Sequence, residues 1–242
     1  SADVPFTDNS TVTTGTIDVW DWKFGDGQSA NIEDPTHPYV SQGVYTVQLI
    51  ITTNNNCSDT IVKNNIEVWP LPNVNFGPTS VCLNNLTQFV DSSTVSNQYT
   101  VNTNDQWSWN FGDGIGVSVL QNPMYMYGAD GVFNATLIVT TNHNCVDSIT
   151  KPVTVHPLPV VDFTPNIVSG CTPVCVTFTD NTVIGAGSTI TQWNWDFTSD
   201  GIKDASSQNP MYCFTNPSHS SVRDYSIRLI ATSNFGCKDT LT

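Results

Sequence analysis

The amino-acid sequence predicts an all-β chain of three tandem β-sandwiches, the first and last of them incomplete. Three observations point there. One aromatic segment is written three times: WDWKFGDG from Trp20, WSWNFGDG from Trp107 and WNWDFTSDG from Trp193. A longer block aligns three times without a gap: GVYTVQLIITTNNNCSDTI from Gly43, GVFNATLIVTTNHNCVDSI from Gly131 and RDYSIRLIATSNFGCKDTL from Arg223. Within that block apolar residues fall at every second position, and helical periodicity with capping signals is absent.

The remaining blocks keep the same phase. FTDNS from Phe6, FVDSS from Phe89 and FTDNT from Phe178 align, as do EDPTHPYV, QNPMYMYG and QNPMYCFT. Four co-linear blocks in three copies mark an internal repeat. In the long block Tyr45, Val47, Leu49 and Ile51 belong to one face of a strand. Phe133, Ala135, Leu137 and Val139, and then Tyr225, Ile227, Leu229 and Ala231, repeat the pattern. Short alternating strands in units of about 85 residues fit a sandwich of immunoglobulin type.

Trp20, Trp22 and Phe24 also fall at period two and share a face. They read as a core strand ending in a tight turn, with a platform for sugar stacking as the alternative. The Asp-Gly pair lets the chain reverse, because glycine accepts positive φ. Between repeats the linkers VWPLPNVNF from Val68 and VHPLPVVDF from Val155 carry two prolines around a leucine, which favours an extended, semi-rigid joint. Boundaries near Pro70 and Pro157 divide the chain into a domain over 1–70 lacking its first strand, a complete domain over 71–157, and a domain over 158–242 lacking its last strand.

Only 12% of the 242 residues are Asp, Glu, Lys or Arg, with 21 acidic and 7 basic residues giving a formal net charge of −14. Such a surface repels phosphate backbones, which argues against nucleic acid and anionic membranes as partners. No run approaches the roughly 18 apolar residues that span a bilayer, so no membrane insertion is expected.

The segments WDWKFGDG, DPTHPY and GVYTVQLIITT resemble the PKD (polycystic kidney disease) domain family, whose hallmark is W-x-F-G-D-G, then N-P-x-H-x-Y, then G-x-Y-x-V-x-L. The resemblance covers essentially the whole chain as three copies. The third departs, with FTSDG in place of FGDG and Arg223-Asp224 in place of Gly-Val. It implies an immunoglobulin-like sandwich in an extracellular, non-catalytic spacer or interaction module. Arrays with a Cys-x-Asp-Thr element are similar to those of very large secreted surface proteins of gliding bacteria, motility adhesins among them. The partners implied are further repeats of the same array and a surface polysaccharide or protein ligand.

Seven cysteines fall into the repeat columns. Cys82 and Cys171 occupy one column, and Cys57, Cys145 and Cys237 another. Pairing within repeats gives Cys82–Cys145 and Cys171–Cys237, and Cys175 is expected to pair with Cys213. Such bridges imply an oxidising compartment, hence secretion to a cell surface or filament. Cys57 is left without a partner. The cut repeats at both ends read as a window onto a longer array, or as sites where neighbouring molecules donate strands.

Two further patterns carry possible chemistry. Asp196, Thr198, Asp200, Gly201 and Asp204 fall at positions 1, 3, 5, 6 and 9 of a calcium loop, although position 12 is Ser207 and no helices flank it; an enlarged turn with solvated carboxylates is the alternative. Asp59-Thr60-Ile61, Asp147-Ser148-Ile149 and Asp239-Thr240-Leu241 are similar to the D-(S/T)-aliphatic acceptor pattern for bacterial O-glycosylation at Thr60, Ser148 and Thr240, where a strand start after a turn would also explain the repeat. His37, His143, His156 and His219 do not share one repeat column, and there is no nucleophile elbow, phosphate-binding loop or HExxH. Three functions stay open: a structural and adhesive array, a spacer or carbohydrate-binding segment of a secreted hydrolase, and a strand-donating filament subunit. Trp69, in the linker, is the best candidate for an exposed ring.

Overall fold

The computed structural model describes residues 3–96, 103–218 and 221–242; His219 lies outside them. The chain is all-β, with immunoglobulin-like sandwich repeats and no α-helix among the described residues. Its backbone contacts form two compact units. One comprises Ser1–Val74, Ser93–Gln106 and Ile138–Asp147, the other Asn75–Ser92, Trp107–Leu137 and Ser148–Thr242.

In the first unit a four-stranded sheet runs in the order Ser29–Ala30, Ile17–Lys23, Gly43–Thr53, Ser58–Val68. Asp3–Pro5 pairs with Thr36–Pro38 as a second, two-stranded sheet. The alternation read from the sequence decides what faces the core. Trp22 lies opposite Leu49 in the ladder, and Trp22, Phe24, Tyr39, Val47 and Leu49 are buried together. Tyr45 and Ile51, at the ends of the same face, pack on them half-buried. The Tyr39 hydroxyl donates to the Phe24 carbonyl at 3.0 Å, satisfying a polar tip inside an apolar cluster. After the aromatic strand the chain must turn hard. Gly25 sits at φ 83°, and a Cβ there would come within 2.5 Å of the Thr46 carbonyl oxygen. Between Cys57 and Trp69 the chain carries one residue more than between Cys145 and His156. Asn65 absorbs it as a bulge at φ 63°, where the ladder slips between Tyr45 and Val47.

In the second repeat Asn104–Asn110, Gly131–Thr141 and Val146–His156 lie in a five-stranded sheet closed by the short edges Val117–Ser118 and Ser80–Cys82. Ser80–Cys82 runs parallel to Thr154–His156. Trp109, Phe111, Leu137, Val139 and Val153 are fully buried. The third repeat splits into two three-stranded sheets. One runs Phe163–Pro165, Val174–Asp180, Met211–Phe214, and the other Ile190–Asp196, Arg228–Ser233, Lys238–Leu241. Their core joins Val176, Phe178, Trp195, Phe197, Leu229 and Ala231. The strand Arg228–Ser233 is 6 residues long where its counterparts have 11. The shortening falls where Arg223-Asp224 replaces the Gly-Val that opens those strands.

The central tryptophan of each repeat is the largest side chain in its core. Replacing Trp109 by Ala should therefore cost about 3–5 kcal/mol. Urea denaturation followed by circular dichroism checks it, with a lower midpoint at unchanged slope as the expected outcome.

Candidate functional site

The aromatic strand is fastened the same way in all three repeats. The first tryptophan is half-buried, and its indole N–H donates to a carboxylate at 2.7 Å: Trp20 to Asp8, Trp107 to Asp91 and Trp193 to Asp180. The backbone N–H of each aspartate in turn donates to the side chain of Asp34, Asn122 or Asn209. The second tryptophan donates to a loop carbonyl, that of Ile32, Leu120 or Ser207. Burial alone would raise the Asp8 carboxyl. Hydrogen bonds from the Ser10 side chain, the Trp20 indole and the Ser10 backbone outweigh it and hold the carboxyl below the usual range.

The Asp-Gly turns differ from copy to copy. In the first, Asp26 bonds His37 at 2.7 Å, and the His37 ring stacks on Phe24 with centroids 4.0 Å apart. In the second, the Tyr125 hydroxyl donates to Asp113 and its ring stacks on Phe111. Burial and the Asp113 carboxylate push Tyr125 up to about 12, and burial with the charge of Asp26 pushes Tyr39 up to about 12.

In the third copy the carboxylate has moved into the strand itself. Asp196 is buried, accepts the N–H groups of Thr198, Ser199 and Gly201, and meets the Arg228 guanidinium at 3.0 Å. Desolvation pushes its pKa up, but the Gly201, Ser199 and Thr198 N–H groups and Arg228 bring it below the ordinary value. Asp204 accepts from the Phe197 N–H and Asp200 from the Ile202 N–H. The calcium reading expected Asp196, Thr198, Asp200 and Asp204 to converge on one centre. The loop turns the carboxylates of Asp196, Asp200 and Asp204 to its own N–H groups. Among the described residues no three His, Cys, Asp or Glu side chains gather closely enough to hold a metal ion.

The functional geometry that the sequence reading missed lies at the joints between repeats. Each long hairpin ends in one turn, built three times around a hydroxyl. Thr53, Thr141 and Ser233 accept the N–H of Cys57, Cys145 and Cys237 through their side-chain oxygens. Asn56, Asn144 and Gly236 supply the positive φ that the turn requires. Two residues before the cysteine, the turn presents a ring to the linker. Trp69 stacks on His143 at 3.6 Å and 4°, and His156 stacks on Phe235 at 3.7 Å and 13°. Trp69 and His156 occupy the same linker column, so both joints are one device. Trp69 is half-buried with one face covered by His143, which is not the free ring expected of it.

At the His156 joint the device is covalently locked. Parallel pairing sets Cys82 opposite His156, the Ser80 hydroxyl bonds the His156 ring at 2.8 Å, and the Leu83 N–H donates to the His156 carbonyl. Cys82 is bonded to Cys237, with Cα atoms 5.5 Å apart.

The sequence model of the PKD domain matches residues 1–68 and again 70–157. The chain belongs to the PKD domain family. Among solved structures it is similar to the three N-terminal domains of the bacteriophage RB49 highly immunogenic outer capsid protein, at 12% identity and a TM-score of 0.44 over 99% of this chain and 92% of that one. It is also similar to the fibronectin(III)-like modules of Clostridium thermocellum CbhA, at 10% identity and a TM-score of 0.32 over 64% and 86%. Residues 158–242 enter the array through the internal repeat and lie outside the family match.

In this PKD array the cysteines do not pair as the columns suggested. Cys82–Cys145 and Cys171–Cys237 are replaced by the single bridge Cys82–Cys237, and Cys57, Cys145 and Cys171 carry free thiols. The reason is strand direction. Cys145 precedes the first residue of the eleven-residue strand Val146–His156, and Cys82 pairs with its last residue. At about 3.3 Å per residue the two lie roughly 35 Å apart along the strand. Cys175 is bonded to Cys213, directly opposite it in the ladder.

Asp8, Asp26, Asp113 and Asp196 all sit below the ordinary carboxyl value. A carboxyl with a depressed folded pKa stabilises the fold above its unfolded pKa of about 4 and gives that up as pH falls. Tyr39 and Tyr125, at about 12, stabilise it below about pH 10 and give that up as pH rises towards 12. Unfolding free energy measured from pH 2 to 12 should show a plateau falling off below about 4 and above about 10. The acid limb should shrink in Asp196→Asn, and that variant's melting should be compared in EDTA and in calcium.

Proposed function

We propose that this chain is a load-bearing segment of a secreted surface array, whose task is to hold consecutive PKD-type repeats end to end as a stalk or filament. The PKD family and its immunoglobulin-like tandem domains support a structural or adhesive module. The observation that carries the reading is the repeated joint: linker ring on turn ring at both junctions, with a disulfide across one of them. A module that only spaced other domains would not need its neighbours bonded to each other. Two disulfides fit an oxidising, extracellular setting. Among the described residues no helix is long and apolar enough to cross a membrane.

The polysaccharide-binding alternative has less support. Each first tryptophan is tied by its N–H to an aspartate, and Trp69 is covered by His143. On the stalk reading Thr60, Ser148 and Thr240, all exposed beside their aspartates, are the positions for O-linked sugars. Mass spectrometry of native material checks them.

Mechanical extension tests the reading. The Cys82–Cys237 bridge spans 155 residues, which extend to about 500 Å when free. Single molecules pulled by their termini should hold back that length under oxidising conditions and release it with reductant or in Cys82→Ala. Equal extension in all three cases would overturn a load-bearing joint.

A further inference from the structure

The first repeat presents a groove of about 490 Å³ against its core, lined by Phe6, Trp22, Leu49, Ile51, Lys63 and Ile66 among others. The other two repeats show what covers this face. In the second, Phe76 packs edge-on against Trp109 with centroids 5.2 Å apart, and in the third Phe163 does the same to Trp195 at 5.1 Å. Both phenylalanines come from the segment by which the chain enters the repeat. In the second repeat Lys151 grips that segment, donating to the Asn75 side chain and the Phe76 carbonyl and lying 5.0 Å from the Phe76 ring. Lys63, in the column of Lys151, lines the groove. The same segment continues as Ser80–Cys82 along the edge of Val146–His156. In the first repeat the corresponding strand, Ser58–Val68, is the outermost of its sheet. Ile66 and Val68 are half-buried there, whereas their counterparts Val153 and Val155 are closed off at 0% and 2% exposure. From that edge the chain leads to Trp69, to the ring of His143 stacked on it, and to the thiol of Cys145 in the turn whose counterpart holds the bonded Cys237.

We propose that the groove and Cys145 together form one receptor for a third entry segment, of the chemistry of Val74–Leu83, supplied by the array outside these 242 residues. Its phenylalanine covers Trp22 and its backbone meets Lys63. Its strand runs parallel beside Glu67, Val68 and Trp69, and its cysteine forms a disulfide with Cys145. The bond forms by oxidation of two thiols, with two electrons and two protons passing to an oxidant such as a glutathione disulfide. The two entry segments within the chain already serve their own repeats, so a second copy would have to unfold one to supply it. The inference rests on the reading of the chain as part of a longer array. It assigns Cys145 and Cys82 the same kind of bond, between a turn and the entry segment of the repeat before it.

The test uses the full chain and a synthetic peptide of residues 74–83, VNFGPTSVCL, in a glutathione redox buffer, with proteolysis and mass spectrometry to locate the adduct. Cys145 should be labelled at least tenfold faster than Cys57 or Cys171. A peptide carrying Phe76→Ser, or the chain carrying Lys63→Ala, should lose most of that preference. With Cys145→Ser the peptide should still raise the melting temperature, which separates groove binding from bond formation. Equal labelling of the three thiols, indifference to Phe76→Ser, or a disulfide-linked dimer of the chain in place of the peptide adduct would overturn the proposal. Failure here would leave the Cys82–Cys237 joint, and the extension measurement on it, untouched.

Discussion

Each repeat depends on covering one tryptophan. Trp22, Trp109 and Trp195 sit in the aromatic strand beside the long hairpin, and Phe6, Phe89 and Phe178 pack on their rings. In the second and third repeats an incoming phenylalanine adds to this cover, and the tryptophan is 1% and 0% exposed where Trp22 is 6%. The chain that brings this phenylalanine also adds an edge strand and, in the second repeat, a cysteine. Core completion and the covalent joint are therefore products of one segment, which is why a repeat of this kind is built to be entered from its neighbour.

The joint works because two short-range constraints coincide. The proline-flanked linker leaves little slack, so the turn of the following repeat meets the linker ring directly. A turn with a left-handed residue before its cysteine then holds the sulfur beside that ring. The bridge itself closes a loop of 155 residues, for which the chain-entropy model gives about 5 kcal/mol. Its consequence is larger than that figure, because the bond joins two repeats that could otherwise unfold separately.

Much of this was legible in the sequence. Period-two alternation put Val47, Leu49, Ala135, Leu137 and Leu229 inside, and the repeated aromatic strand put Trp22, Trp109 and Trp195 in the cores, because burial of a strand face follows directly from residue order. The PKD resemblance rested on the same residues. The cysteine pairing was not legible in that way. Columns report which residues are equivalent, not how far apart strand direction carries them, and the eleven-residue strand separates Cys82 from Cys145. A usable signal was present: the cysteine turn and the linker ring recur in the same order, and a linker as short as Pro-Leu-Pro forces them together. The loop around Asp196 shows another limit of sequence spacing. Carboxylate spacing alone does not distinguish oxygens aimed at a cation from oxygens bonded to the loop's own N–H groups and an arginine.

Proteolytic mapping of the natively oxidised chain without reduction tests the central claim most directly. Each fragment pair joined by sulfur would be identified by mass and lost on reduction. The account predicts a linked pair containing Cys82 and Cys237, across the joint between the second and third repeats, beside the Cys175–Cys213 pair within the third. A pair linking Cys82 to Cys145 would contradict it, since each repeat would then be closed on itself and the joint would rest on ring stacking alone.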